Sequence, residues 1–167
     1  MSVNLSALQF SRPEFLSHLE LVLGEFGIDP ANLMLEITES ALLAHAECAH
    51  QTLVQLKERR IKLALDNFGT GYSSMANLRH YPIDALKIDR SFVGSMLCDP
   101  YCRELVGTTL SMAQNMKIKV VAEGGIETLE HASALKAMDC PYGQGFYFSP
   151  ALAAGETSAL LARHWVT

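Results

Sequence analysis

Residues 61–71 read Ile-Lys-Leu-Ala-Leu-Asp-Asn-Phe-Gly-Thr-Gly. Ile61 to Leu65 is a short apolar run of strand length that ends in two polar side chains and a glycine-rich turn. The same pattern returns at Ala85-Leu86-Lys87-Ile88-Asp89, after Pro82. Working outward, strand-like runs recur at Ser2 to Ser6, Leu33 to Thr38, Ile118 to Ala122 and Phe146-Tyr147-Phe148. Longer stretches of helical period lie between them. Phe15, Leu16, Leu19, Val22, Leu23 and Phe26 form an apolar face ended by Gly27, and an Ala/Leu-rich helix over Ala41 to Leu56 ends near Arg59-Arg60. Six strand-then-helix units predict an α/β fold on a parallel sheet or barrel.

The polar residues fall at or just past the carboxyl ends of these runs: Asn4, Glu36, Asp66, Lys87, Glu123 and Gln144. Parallel α/β proteins place their chemistry there. Carboxylates converging with an Asn oxygen form a set of hard ligands suited to Mg²⁺ or Mn²⁺. Two such ions held close together can polarise a phosphodiester, with Lys87 on a phosphate oxygen or on the attacking water and Glu123 accepting that water's proton. Each piece also has a plain structural reading. Asp66-Asn67-Phe68-Gly69 could be a strand-ending Asx turn, and Glu36 and Glu39 could be a helix-start carboxylate and cap. Lys87 could point outward from an edge strand.

With 167 residues and 49% apolar content, the chain reads as one domain over 1–167. A net charge of −5 without a basic run argues against a nucleic-acid polymer or an anionic membrane as partner. No apolar stretch approaches the roughly 20 residues of a membrane span, and no signal-peptide pattern opens the chain. Cys48, Cys98, Cys102 and Cys140 form no CxxC pair, so they are expected to be reduced thiols in a cytoplasmic protein. The histidines, at 18, 45, 50, 80, 131 and 164, lie mostly in helical segments and read as surface or packing residues. A complete eightfold barrel needs at least about 200 residues. Six units beginning abruptly at residue 2 therefore predict a barrel lacking its first strands.

The ordered series Ser-Val-Asn4-Leu-Ser, Leu-Glu36-Ile-Thr-Glu39-Ser, Asp66-Asn67-Phe-Gly-Thr-Gly-Tyr-Ser-Ser, Leu-Lys87-Ile-Asp-Arg-Ser-Phe, Val-Val-Ala-Glu123-Gly and Gln144-Gly-Phe-Tyr-Phe resembles the EAL family of cyclic di-GMP phosphodiesterases. The resemblance implies a TIM-like (β/α) barrel, here incomplete, whose first strand pairs antiparallel. It implies metal-dependent opening of cyclic di-GMP to linear pGpG. Carried over position by position, it makes Asn4, Glu36 and Asp66 metal ligands, with Asn67 at the second metal. Lys87 and Glu123 would assist the attacking water, Gln144 and Glu127 would support the ligand site, and Glu39 would steady a neighbouring loop.

Three departures set this chain apart from that pattern. The Glu-Ala-Leu signature, with its metal-binding glutamate and nearby arginine, has no counterpart in the sequence. The family's aspartate pair reads Asp66-Asn67, and a neutral amide binds a second cation less well than a carboxylate. The loop after Glu123 reads Gly124-Gly125-Ile126-Glu127, one residue longer than the family's, which would rotate Glu127 by about 100° in a helix and which a loop could absorb. The expectation is thus weak or lost hydrolysis, with a non-cutting cyclic di-GMP-binding or protein-interaction module as the alternative. Open barrel edges predict a homodimer, or association with a missing amino-terminal segment or flanking signalling domain.

Overall fold

A computed structural model describes residues 1–44, 46–70 and 78–162. Its strands are β1 (Ser2–Leu5), β2 (Met34–Thr38), β3 (Lys62–Phe68), β4 (Ala85–Ile88), β5 (Lys119–Glu123) and β6 (Tyr142–Gln144). They form one six-stranded sheet in sequential order, with every neighbouring pair parallel. The helices are α1 (Ala7–Phe10), α2 (Phe15–Glu25), α3 (Glu39–Ala44), α4 (Ala46–Glu58), α5 (Arg90–Ser95), α6 (Pro100–Met116), α7 (Leu129–Ala137) and α8 (Ala154–Leu161). This is the α/β half-barrel that the alternating pattern predicts. The antiparallel first strand implied by the resemblance corresponds to none of the six.

Strand alternation sorts the two faces. Leu35, Ile37, Leu63, Leu65, Leu86 and Ile88 are buried and share one hydrophobic cluster with Leu53 and Leu56 of α4 and Val106 and Ala113 of α6. The intervening residues, among them Glu36, Asp66, Lys87 and Glu123, are thereby turned to the other face. Short polar residues stop the strands and start the helices. Asp89 accepts from the Ser91 amide at 2.8 Å, Asp99 from Tyr101 at 2.9 Å with Pro100 in the first turn, and Thr128 caps α7.

One expectation and one alternative reading are corrected. The sixth strand is not Phe146-Tyr147-Phe148 but Tyr142–Gln144, and the aromatic run forms a turn with Phe146 73% exposed. The reason is close packing at Ile126: a Cβ on Gly143 would lie 2.8 Å from its Cδ1, and one on Gly145 would collide with its carbonyl oxygen. Only glycines let β6 approach there, whatever their strand propensity. Second, Asp66-Asn67 does not end the strand in an Asx turn. β3 continues to Phe68 through a register shift against β4 between Leu65 and Phe68, with Asn67 left-handed at φ 55°. One extra residue in one strand is a bulge, and Asn is among the few non-glycine residues suited to that conformation. The predicted Ala41 to Leu56 helix falls within α3 and α4, on either side of residue 45. Residue 45, the motif residues Gly71, Tyr72, Ser73 and Ser74, the Cys48 side chain and His164 lie outside the described residues.

Candidate metal and ligand centre

Lys87 stands at the centre of the polar face. It is 3% exposed, and its Nζ donates to Glu36 Oε2 at 2.6 Å and to Glu123 Oε1 at 2.7 Å, with Asp66 Oδ1 at 3.5 Å. The strands make this possible. β4 is buried along its whole length, so Lys87 cannot reach solvent sideways, and β2, β3 and β5 bring one carboxylate each. Glu36 is held twice, because Ser2 Oγ donates to its other oxygen, Oε1. Asn4 lies directly opposite Glu36 in the β1–β2 register, and Gln144 directly opposite Glu123 in β5–β6.

Three carboxylates against one ammonium leave net negative charge in a poorly hydrated place. The titration behaviour reflects this. Burial first, and a hydrogen bond with Asp66 second, raise Glu123 from 4.5 to about 7 against the opposing pull of Lys87. Burial pulls the Lys87 ammonium down, but its bonds to Glu123 and Glu36 and the nearby negative charges outweigh burial and leave its pKa raised.

The same imbalance suits a divalent cation. Carboxylate oxygens of Glu36, Asp66 and Glu123 all lie within 4.8 Å of one another, and Asp66 Oδ1 is buried with no hydrogen-bond partner among the described residues. A converging set of hard oxygens with one left unsatisfied fits Mg²⁺, Mn²⁺ or Ca²⁺ far better than a soft-ligand metal. Asn67 would add a neutral carbonyl oxygen, not a charge.

Next to this cluster a cavity of about 780 Å³ opens, lined by Asn67, Arg90, Glu123, Glu127, Gln144 and Phe146 among others. The extra loop residue is absorbed without a helix. Gly124 and Gly125 both take positive φ, 60° and 64°, and a Cβ on Gly125 would lie 2.5 Å from the Gly94 amide nitrogen. Glu127 thereby stays on the cavity wall. Glu39 opens α3 and is buried with neither carboxylate oxygen hydrogen-bonded among the described residues. The α3 cap is instead Thr38, whose Oγ1 accepts from the Ala41 amide at 3.3 Å. Sequence reasoning missed Ser2 and Arg90. The two-residue spacing of Ser2 from Asn4 puts both on one strand face, a usable signal for Ser2, and Arg90 stands in the quoted motif that begins at Leu86.

The EAL domain pattern matches residues 1–151. The chain belongs to the EAL domain family. Among curated relatives it is 37% identical over 149 residues to the Pseudomonas aeruginosa cyclic di-GMP phosphodiesterase NbdA, covering 89% of this EAL chain and 19% of that protein. Among solved structures, the EAL domain of Mycobacterium smegmatis DcpA superposes with a TM-score of 0.89 at 35% identity, covering 96% of this chain and 72% of that one. The Klebsiella pneumoniae BlrP1 complex with manganese and cyclic di-GMP superposes with a TM-score of 0.82 at 29% identity, covering 89% and 38%. This EAL chain spans about a fifth of the length of the curated relatives it matches. No helix among its described residues is long and apolar enough to cross a membrane.

Proposed function

We propose that this EAL chain takes up cyclic di-GMP at the carboxyl ends of its strands, beside one Mg²⁺ or Mn²⁺ ion, and opens it to linear pGpG only weakly. The observation that carries the reading is Lys87 held between Glu36 and Glu123, with Asp66 beside it. Glu36, Asp66 and Asn4 would hold the ion, with Asn67 offering a weak place for a second. When bound, such an ion supplies Lewis-acid charge to the phosphodiester. Lys87 holds a phosphate oxygen or the attacking water. Glu123, with its pKa near 7, takes that water's proton at neutral pH. Gln144, Glu127 and the cavity wall orient the ligand. Support from relatives is specific: BlrP1 is described with manganese and cyclic di-GMP together.

Weak turnover follows from the neutral Asn67, which thins the ligand set of a two-metal site. The same residue favours, as second reading, a regulatory module that binds cyclic di-GMP or a protein without cutting. Cys98, Cys102 and Cys140 are free thiols, in keeping with a reducing cytoplasm. The apolar residues left exposed at the sheet edges support association with a second copy or with another signalling domain. The test is titration with cyclic di-GMP in Mg²⁺ or Mn²⁺, following binding and product in the same samples. Product above a Glu123→Ala control supports the hydrolase, and binding without product supports the regulatory module. Neither binding nor product overturns both ligand readings.

A further inference from the structure

We infer that Ser2 is a positioning residue for the metal-binding carboxylate of Glu36. Glu36 is anchored on both oxygens: Ser2 Oγ donates to Oε1, and Lys87 Nζ donates to Oε2 at 2.6 Å. A carboxylate gripped at both ends by donors from β1 and from β4, beyond β3, cannot swing about its terminal torsion, which is otherwise broad. Ser2 comes from β1, the sheet's outer strand, and Lys87 from β4, so the two anchors reach Glu36 from opposite sides. Each oxygen of a carboxylate has two acceptor sites. One donor per oxygen therefore fixes the plane of the group and still leaves a lone pair for a cation. Groups that orient a ligand in this way typically change metal affinity by about 10-fold or more when removed. Ser2 also sits two residues before Asn4 on the same strand face, so the residue that fixes Glu36 and the residue paired with it in register share one short strand.

This inference rests on the ion site proposed above, and its test separates the two. Mn²⁺ binding is followed by the loss of the free-ion paramagnetic resonance signal for the parent chain, Ser2→Ala and Ser2→Thr, with thermal unfolding run alongside. Ser2→Ala is expected to weaken Mn²⁺ about 10-fold at an unchanged melting temperature, and Ser2→Thr, which keeps the hydroxyl, to restore it to within about twofold. Equal affinity in Ser2→Ala and the parent overturns the role of Ser2. If the parent takes up no Mn²⁺, the ion site itself fails, and Ser2 is judged on a metal-free readout, the proton exchange of the Lys87 ammonium seen by nitrogen-15 NMR. Ser2→Ala should then speed exchange as Glu36 loosens, with Ser2→Thr restoring it, and an unchanged Lys87 signal overturns the inference.

Discussion

Because Lys87 neutralises part of a three-carboxylate cluster, replacing it should be costly in a way that a cation can repair. In chelator, Lys87→Met leaves Glu36 buried and Glu123 half-buried without their partner, and urea unfolding is expected to show a loss of about 3–5 kcal/mol. Added Mn²⁺ should stabilise that variant more than the parent. A loss below about 1 kcal/mol would mean that the cluster is better hydrated than its burial indicates. Glu123 gives a pH test with a definite sign. Its pKa in the fold is about 7 against an ordinary 4.5, so between those values the folded chain holds a proton that the unfolded chain has released. Its contribution to stability is therefore complete below about pH 4.5 and lost as pH rises through about 7. In metal-free buffer, the stability of the parent relative to Glu123→Gln should fall across that window and level off above it. A flat difference would contradict the assignment. These residues were legible in the sequence because strand ends in a parallel sheet expose whatever polar residue follows the apolar run. The double anchoring of Glu36 was not, since no pattern within one strand reveals a hydrogen bond arriving from another.

At the scale of elements, the loop between β5 and α7 carries the inserted residue and follows directly on Glu123, the proposed base at the end of β5. A side chain at Gly125 would meet the Gly94 amide at 2.5 Å while held at φ 64°, whereas one at Gly94 would meet only the Gly125 Cα, at 3.6 Å. Gly125→Ala should therefore cost about 1–3 kcal/mol in urea unfolding and weaken cyclic di-GMP binding, because Glu123 moves with the loop. Gly94→Ala, inside α5, should be neutral or stabilising by up to about 1 kcal/mol. Equal effects would show that the loop does not rest on α5. β1 to β5 could be placed from apolar runs bounded by turn residues, but the bulge in β3 and the position of β6 could not. Asp-Asn-Phe-Gly satisfies a turn and a bulge equally well, and only pairing with β4 decides between them. Tyr142-Gly143-Gln144 looks like a poor strand beside Phe-Tyr-Phe, yet packing on Ile126 selects it over propensity.

For the whole molecule, β1 and β6 have no outer strand partner among the described residues, and Leu8, Leu21, Phe26 and Phe146 are each more than two-thirds exposed. Such edges and apolar side chains favour contact with another surface. Light scattering should show concentration-dependent association, reduced by Leu21→Ser with Phe146→Ser, and a clean monomer at all concentrations would count against it. The six-unit count and the parallel order were readable from period alone. The edges' exposure follows from β1 and β6 not pairing with each other in the sheet. The central claim, a cation-dependent cyclic di-GMP site built on Glu36, Asp66 and Lys87, is met most directly by calorimetric titration of cyclic di-GMP into the parent chain, Glu36→Gln and Asp66→Asn, each with Ca²⁺ and with chelator. Binding by the parent in Ca²⁺, weakened about 10-fold or more by either substitution and by chelator, is the predicted result. Affinity indifferent to the cation and to both carboxylates, or no binding by the parent, would contradict it.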